Sequence, residues 1–258
     1  MKLVTLKISN SRLVKFIRCL CPPLLWGYLY KLIIVKDIPD SYCYDPHYFP
    51  WLEKGFQQRF DEVHSFTGLT AEKLYVLEHF AKKTSDLNGS LAEMGVWKGG
   101  GAKFIADTYR KELKTKNLNP KTFYLFDSFE GMKQVNSTQD RHEVGDFSDT
   151  SYEQVERLLA GDNKQVSIIM KKGWIPETFA GIEDESFTFV HLDLDLHDPI
   201  VDSLNFIYPR LAQGGVIVFD DYGFASCPGA RKAVDQFFSN TKENILVLST
   251  GQAIIEKR

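Results

Sequence analysis

"GSLAEMGVWKGGGAKFIADTYRKELKTKNLNPKTFYLFDSF", residues 89–129, decides the fold of this chain. It opens with a short apolar run that ends near Glu93, the length and composition of a buried strand. Gly95 and the cluster Gly99–Gly101 follow, and behind them apolar residues recur at helical spacing. A second apolar run, "KTFYLFDSF", then ends at Asp127. Strand, glycine turn, helix and strand in that order form the repeating unit of a parallel sheet covered by helices.

The unit recurs outward. Upstream, "TAEKLYVLEHFAKKTS" (70–85) predicts a helix with Thr70 as its N-cap. Downstream, "QVSIIMKKG" (165–173) and "SFTFVHLDLD" (186–195) predict strands separated by a loop or short helix. "SLNFIYPRLAQGG" (203–215) predicts a helix stopped by its glycines, and "VIVFDD" (216–221) a strand. "GARKAVDQFFSN" (229–240) predicts another helix, and "NILVLSTGQAIIEK" (244–257) a hairpin that adds an antiparallel strand at or near one edge. The expected fold is α/β, a doubly wound, mainly parallel sheet. The polar stretch 130–153 has no periodicity and reads either as a lid or as an idle surface loop.

The chain has 258 residues, 43% hydrophobic and 25% charged, with net charge −3, so a nucleic-acid surface is not expected. Cys19, Cys21, Cys43 and Cys227 lack paired metal spacing, which predicts a reducing, cytoplasmic setting without a disulfide framework. The N-terminal segment "RLVKFIRCLCPPLLWGYLYKLIIV" is apolar but interrupted by Lys15, Arg18, Pro22, Pro23 and Lys31. It falls short of the roughly 18 apolar residues of a span, and it lacks a small-residue cleavage site. Residues 1–60 are therefore expected to form a helical arm that packs on the main domain (61–258), on another subunit, or peripherally on a membrane. A homodimer or higher oligomer is expected to use it.

Four predicted strand ends carry acids: Glu93, Asp127, Asp193 with Asp195, and Asp220 with Asp221. Open parallel sheets bind ligands beyond these ends. Glu93, Gly95 and the glycines that follow offer a carboxylate and a close backbone approach. The spacing is not that of a dinucleotide fingerprint. Asp127, one strand later, suits ribose hydroxyls. A ligand with an amino-acid end and a nucleoside end would use both acids, and S-adenosylmethionine (SAM) has that shape. Asp193, Asp220 and Asp221 offer hard oxygen ligands that suit Mg²⁺. Asp195 lies two residues from Asp193, so one can hold a metal while the other acts as a base. His191 and His197 would favour Zn²⁺ or Mn²⁺ if they ligate, though packed histidines are commoner.

At these residues the chain resembles the macrocin O-methyltransferase (TylF-type) family of Mg²⁺- and SAM-dependent sugar and natural-product O-methyltransferases. The resemblance covers about residues 62–240 and rests on "HSFTGL", "AEMGVWKGG", "FDSFEGM", "KGWIPETF", "HLDLDLHDP" and "YPRLAQGGVIVFDDYG" in order. It implies a seven-stranded, Rossmann-like class I methyltransferase fold. It implies SAM contacts from Ser65, Glu93, Gly95, Val96, Asp127, Ser128, Gly173 and Trp174, a divalent metal on Asp193, Asp220 and Asp221, and Asp195 as general base. Lys98, Met94 and Ile175 depart from the family pattern, as does "LHDP" after the base, beside the acceptor. The acceptor implied is a sugar hydroxyl. A catechol-type phenol acceptor uses the same metal logic. A non-catalytic binding subunit would be marked by loss of a carboxylate, and none is missing.

Overall fold

The computed structural model describes residues 54–133, 135–161 and 164–258. Most of the expected N-terminal arm, with Cys19, Cys21 and Cys43, lies outside them. A helix α1 (Phe56–Val63) crosses the expected 60/61 boundary and buries Phe56 edge-on against Phe104, 5.7 Å between ring centroids. The remaining elements are α2 (Ala71–Thr84), β1 (Ser90–Met94), α3 (Gly100–Lys116), β2 (Lys121–Asp127), α4 (Tyr152–Leu159), β3 (Val166–Lys172), β4 (Phe187–Leu192), α5 (His197–Arg210), β5 (Leu211–Phe219), α6 (Pro228–Phe238), β6 (Leu246–Val247) and β7 (Ala253–Glu256). Among the described residues no helix is long and apolar enough to cross a membrane.

The sheet runs β3-β2-β1-β4-β5-β7-β6. The first five strands are parallel, and β7 pairs antiparallel with both β5 and β6. The terminal hairpin thus supplies the antiparallel edge that its sequence predicts. Alternation along each strand divides the core in two. Leu91, Phe123, Leu125, Phe189 and Val216 pack with Leu74, Leu77, Ile105 and Tyr109 on the α2–α3 face. Ala92, Met94, Phe126, Val190, Leu192 and Ile217 pack with Ile200, Leu204, Ile207 and Val234 on the α5–α6 face. Each fully buried large side chain contributes about 1.5–3 kcal/mol, so this two-sided burial supplies much of the stability of the sheet.

The structure differs from the sequence reading at three places. Helix α5 starts at His197 rather than near Ser203, with Pro199 in its first turn, where a missing N–H costs nothing. It ends at Arg210, ahead of the glycines, because Leu211 turns to extended backbone, is buried, and opens β5 by pairing with Phe187 of β4. Gly214, at φ +76°, absorbs the register shift within that strand. Helix α4 was not anticipated. Ser151 caps it by accepting from the Gln154 amide at 3.2 Å, and it buries Val155 and Leu159.

Candidate active site

The parallel ladder continues one residue beyond each strand. The amide of Gly95 donates to Phe126 O (3.0 Å), that of Asp193 to Met94 O (2.9 Å), that of Asp220 to Leu192 O (2.9 Å), and that of Gly173 to Asp127 O (2.9 Å). These staggered ends bring the predicted acids to one edge of the sheet, around a cavity of about 800 Å³. Glu93, Gly95, Val96, Asp127, Ser128, Gly173, Trp174, Asp193, Asp195, Asp220 and Asp221 all line it. Ser65 does not: it is exposed on the 3-10 turn His64–Phe66, and its neighbours Phe66, Thr67 and Gly68 line the wall instead.

Gly95 sits at φ +84°, and a Cβ there would lie 1.8 Å from the Asp193 carbonyl oxygen. Gly95→Ala is expected to destabilise the fold by about 3 kcal/mol or more, the sum of left-handed strain and overpacking against backbone. A urea midpoint equal to wild type would contradict this. The glycines at the head of α3 serve packing more than ligand approach. A Cβ on Gly100 would lie 2.6 Å from Phe66 O, and one on Gly101 2.6 Å from Glu93 Oε1.

The acids differ in how much of each carboxylate is free. Glu93 is buried, and its Oε1 pairs with Nδ1 of its register partner His191 at 2.9 Å. Glu93 Oε2 has no hydrogen-bond partner among the described residues. Burial raises the Glu93 pKa, the His191 pairing works against that rise, and Asp127 and Asp220 add to it. Asp127 accepts from three backbone amides: Val96 (2.7 Å) and Trp97 (2.8 Å) on Oδ2, and Phe129 (2.6 Å) on Oδ1. Three of roughly four acceptor positions are therefore spent on shaping the turn, and one is left for a ligand. The Ser128 hydroxyl is turned inward to its own loop, donating to Gly131 O at 3.1 Å and accepting from Glu130 N at 3.1 Å. Gly173 reaches φ +141°, and Trp174 faces the cavity with Lys133 Nζ 5.7 Å from its ring centroid.

Asp193, Asp220 and Asp221 bring carboxylate oxygens within 4.8 Å of one another. Asp220 is the most committed. Lys73 Nζ pairs with its Oδ2, Gln252 Nε2 donates to its Oδ1 at 3.0 Å, and His191 Nε2 stands 3.7 Å from Oδ1. Burial raises the Asp220 pKa, but His191 and Lys73 more than offset that, and the net shift is downward. Asp193 and Asp221 go the other way. Burial, then repulsion from neighbouring carboxylates, holds both well above the ordinary range. A set of oxygen donors with two buried and one half-buried carboxylate, and with uncompensated repulsion, fits a hard dication. His191 and His197 stand outside this trio of oxygens. Burial disfavours charge on His191, yet the carboxylates of Asp220 and Glu93 push its pKa up to about 10. His197 pairs with the adjacent Asp198 at 2.6 Å.

Asp195 has φ +57°, and its amide donates to Asp221 Oδ2 at 3.0 Å, tying the residue to the trio. Its Oδ1 meets two groups that the sequence reading did not connect: His142 Nε2 at 3.4 Å and Cys227 Sγ at 3.2 Å. His142 comes from the polar loop. That loop is fastened to the glycine turn through Asp149, which accepts from Trp97 Nε1 (2.8 Å) and Lys98 Nζ (2.6 Å). Arg141 fastens it to the other rim by donating to Ala225 O at 2.9 Å. Phe147 and His142 put it in the cavity wall, which favours the lid over the idle loop.

Known proteins are similar to this chain in sequence and in fold. A demethyldecarbamoylnovobiocin O-methyltransferase of Streptomyces niveus is 27% identical over 161 residues, 59% of each chain. An 8-demethyl-8-(2,3-dimethoxy-alpha-L-rhamnosyl)-tetracenomycin-C 4'-O-methyltransferase of Streptomyces olivaceus is 33% identical over 153 residues, 55% of this chain and 56% of that one. The matches thus span less than two thirds of the length of these two relatives. A mycinamicin III 3''-O-methyltransferase of Micromonospora griseorubida is 27% identical over 189 residues, 68% of this chain and 70% of that one. Among solved structures, the O-methyltransferase NovP superposes with TM-score 0.63 at 24% identity, covering 74% of this chain and 82% of its own. CalS11, a calicheamicin methyltransferase, gives 0.60 at 18% identity, covering 85% and 97%. Both share the fold. Residues 64–246 match the macrocin-O-methyltransferase (TylF) family, and with most of the chain inside that match, the protein belongs to this family.

Proposed function

We propose that this protein transfers a methyl group from SAM to a hydroxyl of a sugar moiety, in a reaction assisted by Mg²⁺ or another hard divalent cation. The observation that carries the reading is a single cavity lined both by the Gly95 turn with Asp127 and by Asp193, Asp195, Asp220 and Asp221. Family membership supports the chemistry, and a relative named for 4'-O-methylation of a rhamnosyl tetracenomycin supports the sugar acceptor.

On this reading Glu93, Gly95, Val96, Asp127, Gly173 and Trp174 form the SAM subsite. The remaining acceptor position of Asp127 would take a ribose hydroxyl, and Trp174 would lie close to the adenine. Ser128 contributes by holding its turn, and Ser65 through its neighbours. Asp193, Asp220 and Asp221 would hold the cation, with Asp220 itself anchored by Lys73 and Gln252. The cation, when bound, lowers the pKa of the acceptor hydroxyl as a Lewis acid. Asp195 takes the proton, and its backbone bond to Asp221 keeps the base in register with the cation ligands. With both substrates bound, the lid and the sheet edge would serve to position the acceptor oxygen against the methyl donor and to exclude water, and such positioning would supply much of the rate. The compartment we read is the cytoplasm, in keeping with the free thiol of Cys227.

Calorimetric titration of S-adenosylhomocysteine into the protein with Mg²⁺ present is expected to give saturable one-site binding. Methyl transfer from SAM is then expected to hydroxylated sugars and not to catechols. Absence of binding in a folded sample would refute the cofactor assignment, and turnover of catechols alone would refute the acceptor class.

A further inference from the structure

The cavity holds a second group of donors, distinct in chemistry from the three carboxylates. His142 Nε2, Asp195 Oδ1 and Cys227 Sγ lie 3.4 Å (His–Asp), 3.2 Å (Cys–Asp) and 3.5 Å (Cys–His) apart. Bonds of about 2.0–2.3 Å from a tetrahedral Zn²⁺ to N, O and S set ligand–ligand separations of about 3.3–3.6 Å. The three side chains already stand close to the corners of one face of such a polyhedron.

A second observation points the same way. Nδ1 of His142 is held by Asp146 Oδ2 at 2.9 Å. A carboxylate on the far nitrogen is the usual outer support of a metal-binding histidine, because it fixes the ring and turns the other nitrogen toward the ion. The other donors are held as well. Cys227 is buried at the start of α6, and Asp195 is fixed through its own amide.

We propose that His142, Asp195 and Cys227 form a site for a thiophilic divalent cation of the Zn²⁺ class, with Asp146 as its outer carboxylate and an open fourth position toward the cavity. It is separate from the site of Asp193, Asp220 and Asp221, which offers oxygen alone and suits Mg²⁺. In the metal-free site the Cys227 thiol donates to Asp195 Oδ1, and a bound cation would displace that proton to solvent. Filling the site occupies Asp195 Oδ1. On the reading that Asp195 is the base, which this consequence alone rests on, Zn²⁺ inhibits methyl transfer in the presence of Mg²⁺.

The test uses Co²⁺ as a spectroscopic stand-in, titrated into the full chain with Mg²⁺ in excess. A thiolate-to-cobalt charge-transfer band in the near ultraviolet is expected to saturate at one equivalent and to be bleached by Zn²⁺. It should be lost in Cys227→Ser and weakened in His142→Gln, which changes only a loop residue and so guards against misfolding of the cysteine variant. Asp146→Asn should lower Zn²⁺ affinity about 10–100-fold. The absence of a band in folded wild type, or a band that survives in Cys227→Ser and so comes from another thiol, would overturn the site. The readout needs no turnover, so its failure is separable from failure of the methyltransferase reading.

Discussion

Asp195→Asn is expected to lower kcat by about 10²–10⁴-fold, the range for removal of a positioned general base, and to leave S-adenosylhomocysteine affinity unchanged. Asparagine keeps the volume, and the bond to Asp221 comes from the backbone amide, so the loop geometry survives. What is lost is the proton acceptor and its charge. That charge also reaches the lid. His142 has its pKa pushed up to about 9, first by its bond to Asp195, against burial, and then by Asp146. A raised histidine pKa stabilises the folded lid fully below the ordinary value of about 6.5, and the contribution is lost as pH rises through about 9. In Asp195→Asn that loss should move to lower pH, read as a shift in the pH dependence of thermal unfolding. Full turnover in the variant would remove Asp195 from the mechanism. Lost turnover with an unshifted lid titration would instead show that His142 and Asp195 are uncoupled in solution.

The sheet and its acidic edge were legible because both are local. Short, mostly apolar runs such as "FTFVHL" and "VIVF" mark strands buried on both faces, and a carboxylate that closes such a run emerges at a strand end. What each carboxylate then does is set by partners from distant elements, and no spacing announces them. Lys73 comes from α2 and Gln252 from the terminal hairpin, yet both fasten Asp220. Glu93 and His191 are 98 residues apart and meet because β1 and β4 pair in that register. His142 could be read only as a lid residue, and Cys227 only as a lone thiol. Their convergence on Asp195 depends on how a loop without periodicity docks. Ser65 shows the opposite failure. A motif position was carried over, but the 3-10 turn presents its side chain to solvent.

The same distinction separates two substitutions within the trio. Asp220→Asn removes the charge partner of a buried lysine and the carboxylate that faces a buried histidine, both less than about a tenth exposed. Breaking a buried pair from one side costs about 3–5 kcal/mol, so this variant is expected to be severely destabilised with or without metal. Asp193→Asn should behave in the opposite way. Its carboxylate makes no hydrogen bond among the described residues and suffers burial and the repulsion of Asp220 and Asp221, which hold its pKa well above the ordinary range. A carboxylate whose folded pKa is raised costs stability once pH passes its unfolded value, and the cost grows until pH reaches the folded value. At neutral pH in chelator, Asp193→Asn is therefore expected to unfold at higher urea than wild type. Addition of Mg²⁺ should reverse the order: wild type gains about 2.7 kcal/mol at a hundredfold excess over Kd, and the variant gains nothing. Equal Mg²⁺ stabilisation of both would exclude Asp193 as a ligand. Lower stability of Asp193→Asn in chelator would mean that its carboxylate serves the fold as Asp220 does, and that Asp221 alone is left as a free acid for the cation.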